Sequence, residues 1–360
     1  MERHGLLLME IKANRNKGIE LCRLMLMYMV CILHTLGGGG VLDNCVEGNI
    51  RYYVFWFIEI SSYCAVDGFA FISGYTFSGK AVSIKKAVSL EVQALFYSAF
   101  LTGLLFLIGI RVSLSPLEII ELFFPITANT FWYLSAYFGI LVFLPFIDMT
   151  INKLDERKAK ELLTLFIIIF SMWGLLNNSF SLEWGYSTIW ILIVYIIGAL
   201  SKKINLFSRI NTSILLSVFL ANTVVMWIIR TIFHIGRIVN YNSPLVLING
   251  IVIVILFSRI NIRSNKLLYI SPLALGAYLF HSNVVVNRIV LENHLLWVIK
   301  KPIYIGVIII LVFAFFLFAC GLICELIRLK LNKLVHIDSI IQKIGAFINY
   351  IISFIVDRIR

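Results

Sequence analysis

Long apolar runs, each ended by a short cluster of basic residues, recur along the whole chain and constrain its fold more than any other feature. A helix needs about 20 predominantly apolar residues to cross a bilayer. Candidate runs lie near 19–39, 55–78, 88–110, 131–150, 161–177, 186–200, 212–233, 244–258, 267–287 and 303–327, the sixth and eighth being short. The expected fold is all-α: a polytopic integral membrane bundle of about ten transmembrane helices. Composition agrees. Of 360 residues, 60% are hydrophobic and 14% are charged, where a soluble domain carries about 25% charge.

The net charge of +12 raises the question of nucleic acid, yet no basic face survives a membrane assignment. The basic residues are better read as topology signals. With the N-terminus in the cytoplasm, inner segments carry Arg3, Lys12, Arg15 and Lys17; Lys80, Lys85 and Lys86; Lys153, Arg157, Lys158 and Lys160; Lys202, Lys203 and Arg209; Arg259, Arg263 and Lys266. After the last run come Arg328, Lys330, Lys333, Lys343, Arg358 and Arg360. Outer segments and span ends hold only Arg51, Arg111, Arg230, Arg237, Arg288, Lys300 and Lys301. This bias puts both termini in the cytoplasm.

Residues 1–330 are expected to form the membrane domain and 331–360 a cytoplasmic amphipathic tail. In the tail Ile340, Ile341, Ile344, Phe347, Ile348, Ile351, Ile352 and Ile355 recur at helical spacing, which suits a helix lying on the inner membrane face. The first run follows basic residues and ends in Gly37–Gly40 without a small-x-small cleavage pattern, so an uncleaved signal anchor is expected. The six cysteines show no metal spacing and are expected to pack as small apolar residues.

Ionisable side chains inside spans are costly and therefore functional candidates. Arg23 and His34 share the first run. Eleven residues at about 3.6 per turn place them on one face, roughly 16 Å apart along the axis. Asp67 lies near the middle of the second run. His281, in the ninth, sits at nearly the depth of His34, about 21 Å from its span's start. Glu59, Trp132 and Tyr133 fall near the same level. Plainer roles stay open for each: Arg23 as a snorkelling cation, His34 as a satisfied core residue, Glu59 as an interfacial carboxylate, Trp132 and Tyr133 as belt aromatics. Ser73-Gly74 permits close helix packing.

Five segments, in order, carry a resemblance to a known family. They are Arg15–His34 with its Arg-x10-His pattern, Asp67-Gly68-Phe69-Ala70-Phe71-Ile72-Ser73-Gly74-Tyr75, and Phe131-Trp132-Tyr133-Leu134-Ser135-Ala136-Tyr137 followed by Leu144-Pro145-Phe146. Tyr241-Asn242-Ser243-Pro244 and Gly276-Ala277-Tyr278-Leu279-Phe280-His281 complete the set. Together they resemble acyltransferase family three, the integral membrane O-acyltransferases of bacterial envelopes, over essentially the whole chain. One departure is that many members carry an Arg-rich element after Ser-Gly-Tyr, where this chain offers lysines. Lysine meets phosphate as a point charge rather than a bidentate fork.

The resemblance implies a location in the bacterial plasma membrane, an acyl-coenzyme A donor and a hydroxyl acceptor on a carbohydrate or lipid-linked saccharide. Acetyl is the expected group because it is common in the family. No bound cofactor, metal or nucleic acid is implied. His34 would act as the base for the acceptor hydroxyl or as a transient acyl carrier, and both options stay open. Arg23 would hold the donor, with Lys80, Lys85, Lys86, Tyr75 and Ser73 on the donor side. His281 and Asp67 would orient the catalytic groups, although Asp67 lies some 10 Å inward of His34. Glu59, Trp132, Tyr133 and Ser135 would face the acceptor. The competing class is a transporter or flippase for a lipid-linked sugar. It usually shows internal repeats or broken helices near the midplane, and neither is visible in the sequence.

Overall fold

The computed structural model describes residues 15–76, 84–141 and 143–359. The protein is 76% helix, with no strand among the described residues. The helices are α1 (Lys17–Leu36), α2 (Ile50–Ser62), α3 (Ala65–Tyr75) and α4 (Ile84–Leu95), which continues through a π-helical turn into Leu101–Leu107. Then come α5 (Pro116–Glu121), α6 (Trp132–Leu141), α7 (Leu144–Lys153) and α8 (Glu156–Phe166), which runs on through a π-helical stretch to Gly174–Asn177. The remainder are α9 (Thr188–Lys203), α10 (Thr212–Thr231), α11 (Pro244–Ser258), α12 (Leu267–His281), α13 (Val284–Lys300), α14 (Ile303–Leu334) and α15 (Ile337–Ile359).

Seven helical stretches among the described residues are long and apolar enough to cross a membrane: α1, α2–α3, α4, α8, α10, the Gly236–Ser258 stretch ending in α11, and α14. The expected spans near 131–150 and 267–287 are bent pairs, α6–α7 at 59° and α12–α13 at 62°, and would raise the total to nine. Helix α9, in the sixth expected span, has 16 residues, short of the usual 20 or so. Broken helices are therefore present, contrary to the sequence reading. The α12–α13 bend shows why they are tolerated. Asn283 caps α13 by accepting from the Val285 and Val286 amides, both at 3.0 Å. Its amide nitrogen donates to the Tyr97 carbonyl (2.7 Å) and the Thr102 hydroxyl (2.9 Å) on α4. The polar groups freed by the break are satisfied inside the protein, as an apolar surrounding demands.

Contacts between helix ends separate the two ends of the bundle. At one, Asn16 donates to the Ser258 carbonyl (2.7 Å), Lys17 to the Arg263 carbonyl (2.9 Å) and Lys203 to the Asn152 carbonyl (3.1 Å). At the other, Arg51 donates to the Lys301 carbonyl (3.0 Å), Arg237 to the Leu176 carbonyl (2.9 Å), and the Asn293 amide to the Gly38 carbonyl (3.1 Å). Helix α1 thus starts at the first end, rich in Lys and Arg, and finishes at the second.

Helix α3 sits at the centre, against α9 on one side and α11 on the other. Small residues make this possible. A Cβ on Gly74 would come 1.9 Å from the Tyr195 carbonyl oxygen, and one on Gly198 would come 2.5 Å from the Phe71 carbonyl oxygen. On the α11 side, a Cβ on Gly250 would lie 2.9 Å from the Asp67 Cβ.

A second buried knot ties α4, α12 and α14. Glu325 accepts from Gln93 (3.1 Å), from the Tyr97 hydroxyl (2.9 Å) and from Arg328 Nε and a terminal guanidinium nitrogen (2.8 and 2.6 Å). All four side chains are buried. Gly276 on α12 lets the Tyr97–Glu325 contact pass beneath it. The boundary expected at residue 330 falls inside α14. The amphipathic helix is α15, which lies against the start of α4 and leaves Phe347, Ile352 and Ile355 exposed on its surface.

Removing one partner of a buried, hydrogen-bonded ion pair typically costs roughly 3–5 kcal/mol. Glu325→Ala is therefore expected to lower the melting temperature sharply in a detergent unfolding assay. A double variant, Glu325→Leu with Arg328→Met, should recover much of that loss. Equal melting of Glu325→Ala and wild type would contradict a clamp here.

Candidate active site

Helix α1 presents one face to a cavity of about 1140 Å³. Ile19, Arg23, Met27, Val30 and His34 line it at intervals of three and four residues, the spacing of a single helical face. Helices α3, α6 and α9 and the start of α12 supply the other walls, through Val66, Phe69, Tyr133, Tyr137, Tyr195, Pro272 and Tyr278. The end of the cavity at the start of α1 is cationic, with Arg15, Arg23, Lys86 and Lys202 lining it. Glu20 is buried among them. It lies 3.9 Å from both Arg15 and Arg23 and accepts from the Ser271 hydroxyl. Glu20 therefore orients Arg23 and leaves an excess of positive charge at the mouth. Lys86 donates to the Tyr137 hydroxyl at 3.3 Å and lies over its ring.

A second cavity of about 310 Å³ opens beyond the C-terminal end of α1. Gly37, Gly38, Glu59, Tyr63, Tyr186 and Asn287 line it. Leu33, His34, Trp132 and Tyr241 line both cavities. The His34 imidazole is thus reached from both sides of a partition built of one leucine and two large rings. Trp132 and Tyr241 stack at 5.9 Å with 20° between planes, and Tyr186 packs 4.9 and 4.8 Å from them. Among the described residues, no lysine or arginine lines this second cavity.

Behind His34 stands His281. The ring centroids are 4.7 Å apart and nearly perpendicular, at 79°. His281 Nδ1 lies 2.6 Å from the Ala277 carbonyl oxygen, one turn back. A carbonyl can only accept, so Nδ1 carries the hydrogen and Nε2 keeps a lone pair. That Nε2 is buried and has no hydrogen-bond partner. His281 lines neither cavity. It packs edge-on against the His34 ring from outside both cavities.

The remaining expected site residues divide. Ser73 and Tyr75 line the first cavity, as does Tyr133, and Trp132 and Glu59 line the second. Glu59 is buried, and its Oε2 has no partner. Three expected site residues lie apart from both cavities. Asp67 is fully buried away from both cavities and accepts from the Trp190 indole at 2.8 Å. The glycine that lets α11 approach holds it in the helix packing rather than in the site. Ser135 donates to the Ile126 carbonyl at 2.9 Å and lines neither cavity. Lys85 is exposed and backs onto Gly345 of α15. Lys80 lies outside the described residues.

Several lining residues were not singled out from sequence. Glu20, Tyr241 and Tyr278 stand within the family-like segments, so a signal was there. Arg15 opens the first of those segments, whereas Lys202 read only as a topology charge. Tyr63, Tyr186 and Asn287 had no signal, because loops and a helix bend bring them in.

The acyltransferase domain of acyltransferase family three matches residues 16–326. The chain belongs to that family and is a membrane acyltransferase. No curated protein and no solved structure matches it.

Asp67→Asn keeps an oxygen for the Trp190 indole. Acyl transfer by this variant should stay within about threefold of wild type, because the acceptor is preserved. Asp67→Leu removes that acceptor and should cost about 1–3 kcal/mol of stability. Loss of transfer in a stably folded Asp67→Asn protein would return Asp67 to the catalytic set.

Proposed function

We propose that the protein moves an acyl group, acetyl foremost, from cytoplasmic acyl-coenzyme A to a hydroxyl of a cell-envelope carbohydrate. The observation that carries this reading is His34, which lines two cavities extending toward opposite ends of α1. The basic bias of the segments at the start of α1 supports a cytoplasmic N-terminus and a cytoplasmic first cavity in a bacterial plasma membrane. Ten passes with both termini inside follow if the bent pairs and α9 each cross.

The first cavity suits the donor. Arg15, Lys86 and Lys202 sit at its mouth, where phosphates of a nucleotide would meet charge. Apolar Ile19, Met27, Val30 and Leu33 line the way inward and fit a flexible thioester arm. Arg23, oriented by Glu20, would hold that arm or the thioester oxygen. An acyl carbon brought to His34 meets an imidazole packed edge-on against His281. The aromatic wall of the second cavity suits a sugar ring, whose C–H face packs on aromatic faces while its hydroxyls reach Glu59 and Asn287. The broken helices would also suit a flippase for a lipid-linked sugar. Family membership and the blocking rings of Trp132 and Tyr241 favour transfer.

The test is label transfer from radiolabelled acetyl-coenzyme A to envelope glycan by the protein in lipid nanodiscs. His34→Ala should lose about 100-fold or more. Arg23→Ala should chiefly raise the KM for the donor. Full transfer by His34→Ala, at equal protein abundance, would refute the reading.

A further inference from the structure

We infer that Glu59 is the general base for the acceptor hydroxyl, and that His34 serves as the acyl carrier between the two cavities. The inference rests on the donor and acceptor reading above. It begins from the partition. Leu33, Trp132 and Tyr241 separate the cavities, and of the two side chains lining both that could carry an acyl group, His34 and the Tyr241 phenol, the imidazole is the better nucleophile near neutrality. A group crossing from donor to acceptor is most directly passed through that imidazole. Once one His34 nitrogen is acylated, the acyl group draws electrons from the ring and leaves the other nitrogen a poor base for the acceptor's proton. A different base must then line the second cavity.

Glu59 is the single carboxylate there. The other polar candidates, Tyr63, Tyr186, Tyr241 and Asn287, are phenols and an amide, which are poor bases near neutrality. Glu59 is held by α2, is buried, and keeps one oxygen without a partner. Its carboxylate is in no ion pair among the described residues. A buried polar atom left unsatisfied costs free energy, so this oxygen is a vacancy for a hydroxyl proton donor. A polar atom kept open inside a cavity that also holds the transfer imidazole fits a functional role better than a packing one.

The steps balance. In the first cavity the free His34 nitrogen attacks the thioester carbon, the C–N bond forms and the C–S bond breaks. The coenzyme thiolate takes the proton from the other imidazole nitrogen and leaves as the thiol. In the second cavity Glu59 takes the acceptor's hydroxyl proton as its oxygen attacks the acyl carbon. The C–O bond forms, the C–N bond breaks, and the electron pair returns to the imidazole. Glu59 then gives its proton to His34, restoring both groups.

The account separates the two half-reactions, and that separation is the test. Wild type, Glu59→Gln and Glu59→Asp are placed in lipid nanodiscs with radiolabelled acetyl-coenzyme A. Two probe acceptors are compared: methyl glucopyranoside, whose hydroxyl needs a base, and hydroxylamine, a nucleophile strong enough to need none. Glu59→Gln should lose glycoside acetylation by about 100-fold or more, yet form acetyl hydroxamate and release coenzyme A at close to the wild-type rate. Glu59→Asp should recover part of the glycoside transfer. Hydroxamate formation doubles as the control for folding. Glycoside transfer by Glu59→Gln within threefold of wild type would overturn the assignment, as would parallel loss of both acceptors in a protein with unchanged melting. Failure of wild type to release coenzyme A with either acceptor would instead refute the donor reading itself.

Discussion

Backbone contact at three glycines governs this molecule. Where α3 meets α9 and α11, Gly74, Gly198 and Gly250 bring main chains so close that a single added carbon would overlap a carbonyl or crowd a side chain. In a bilayer no hydrophobic gain drives helices together, so association depends on close packing and buried polar contacts. The tight centre leaves space elsewhere. Because α3 leans toward α9 and α11, its opposite face, with Val66, Phe69 and Ser73, becomes a wall of the first cavity instead of filling it. The cavity is thus a consequence of asymmetry in side-chain size around α3.

The same economy explains the placement of charge. Glu325 is surrounded by four donor contacts from three side chains and serves structure. Glu20 is shared between two arginines and a serine at the cationic end of the first cavity. Glu59 and the Nε2 of His281 are buried groups that retain unfilled hydrogen-bonding capacity, as is the Asp67 Oδ2 in the helix packing. Fully satisfied polar groups rigidify, and partly satisfied ones stay available to a ligand or a proton.

Much of this was legible in the sequence. The all-helical membrane fold followed from apolar run length. Arg23 and His34 share a cavity-lining face, as their spacing of eleven required, and His281 meets His34, as equal depth suggested. Asp67 shows where such reasoning stops. A buried carboxylate in a span and a family-like motif both pointed to the site, but the direction of its side chain depends on Trp190, more than a hundred residues away. Ser135 and Lys85 failed for the same reason, since depth along a span says nothing about which neighbour a side chain faces. Tyr63 and Tyr186 could not be foreseen, because a break between α2 and α3 and the loop before α9 set their positions. The bend at α12–α13 was hidden because Asn283 and its partners on α4 supply the missing hydrogen bonds, and hydropathy does not register them.

The central claim is that His34 stands between two compartments reached from opposite membrane faces. Its most direct test is side-specific labelling. Ser73→Cys in the first cavity and Asn287→Cys in the second would each be placed on a cysteine-free background. A membrane-impermeant maleimide would then be applied to right-side-out and inverted vesicles. The account predicts that Ser73→Cys reacts only from the cytoplasmic face and Asn287→Cys only from the opposite face. Reaction of both from one face would contradict it.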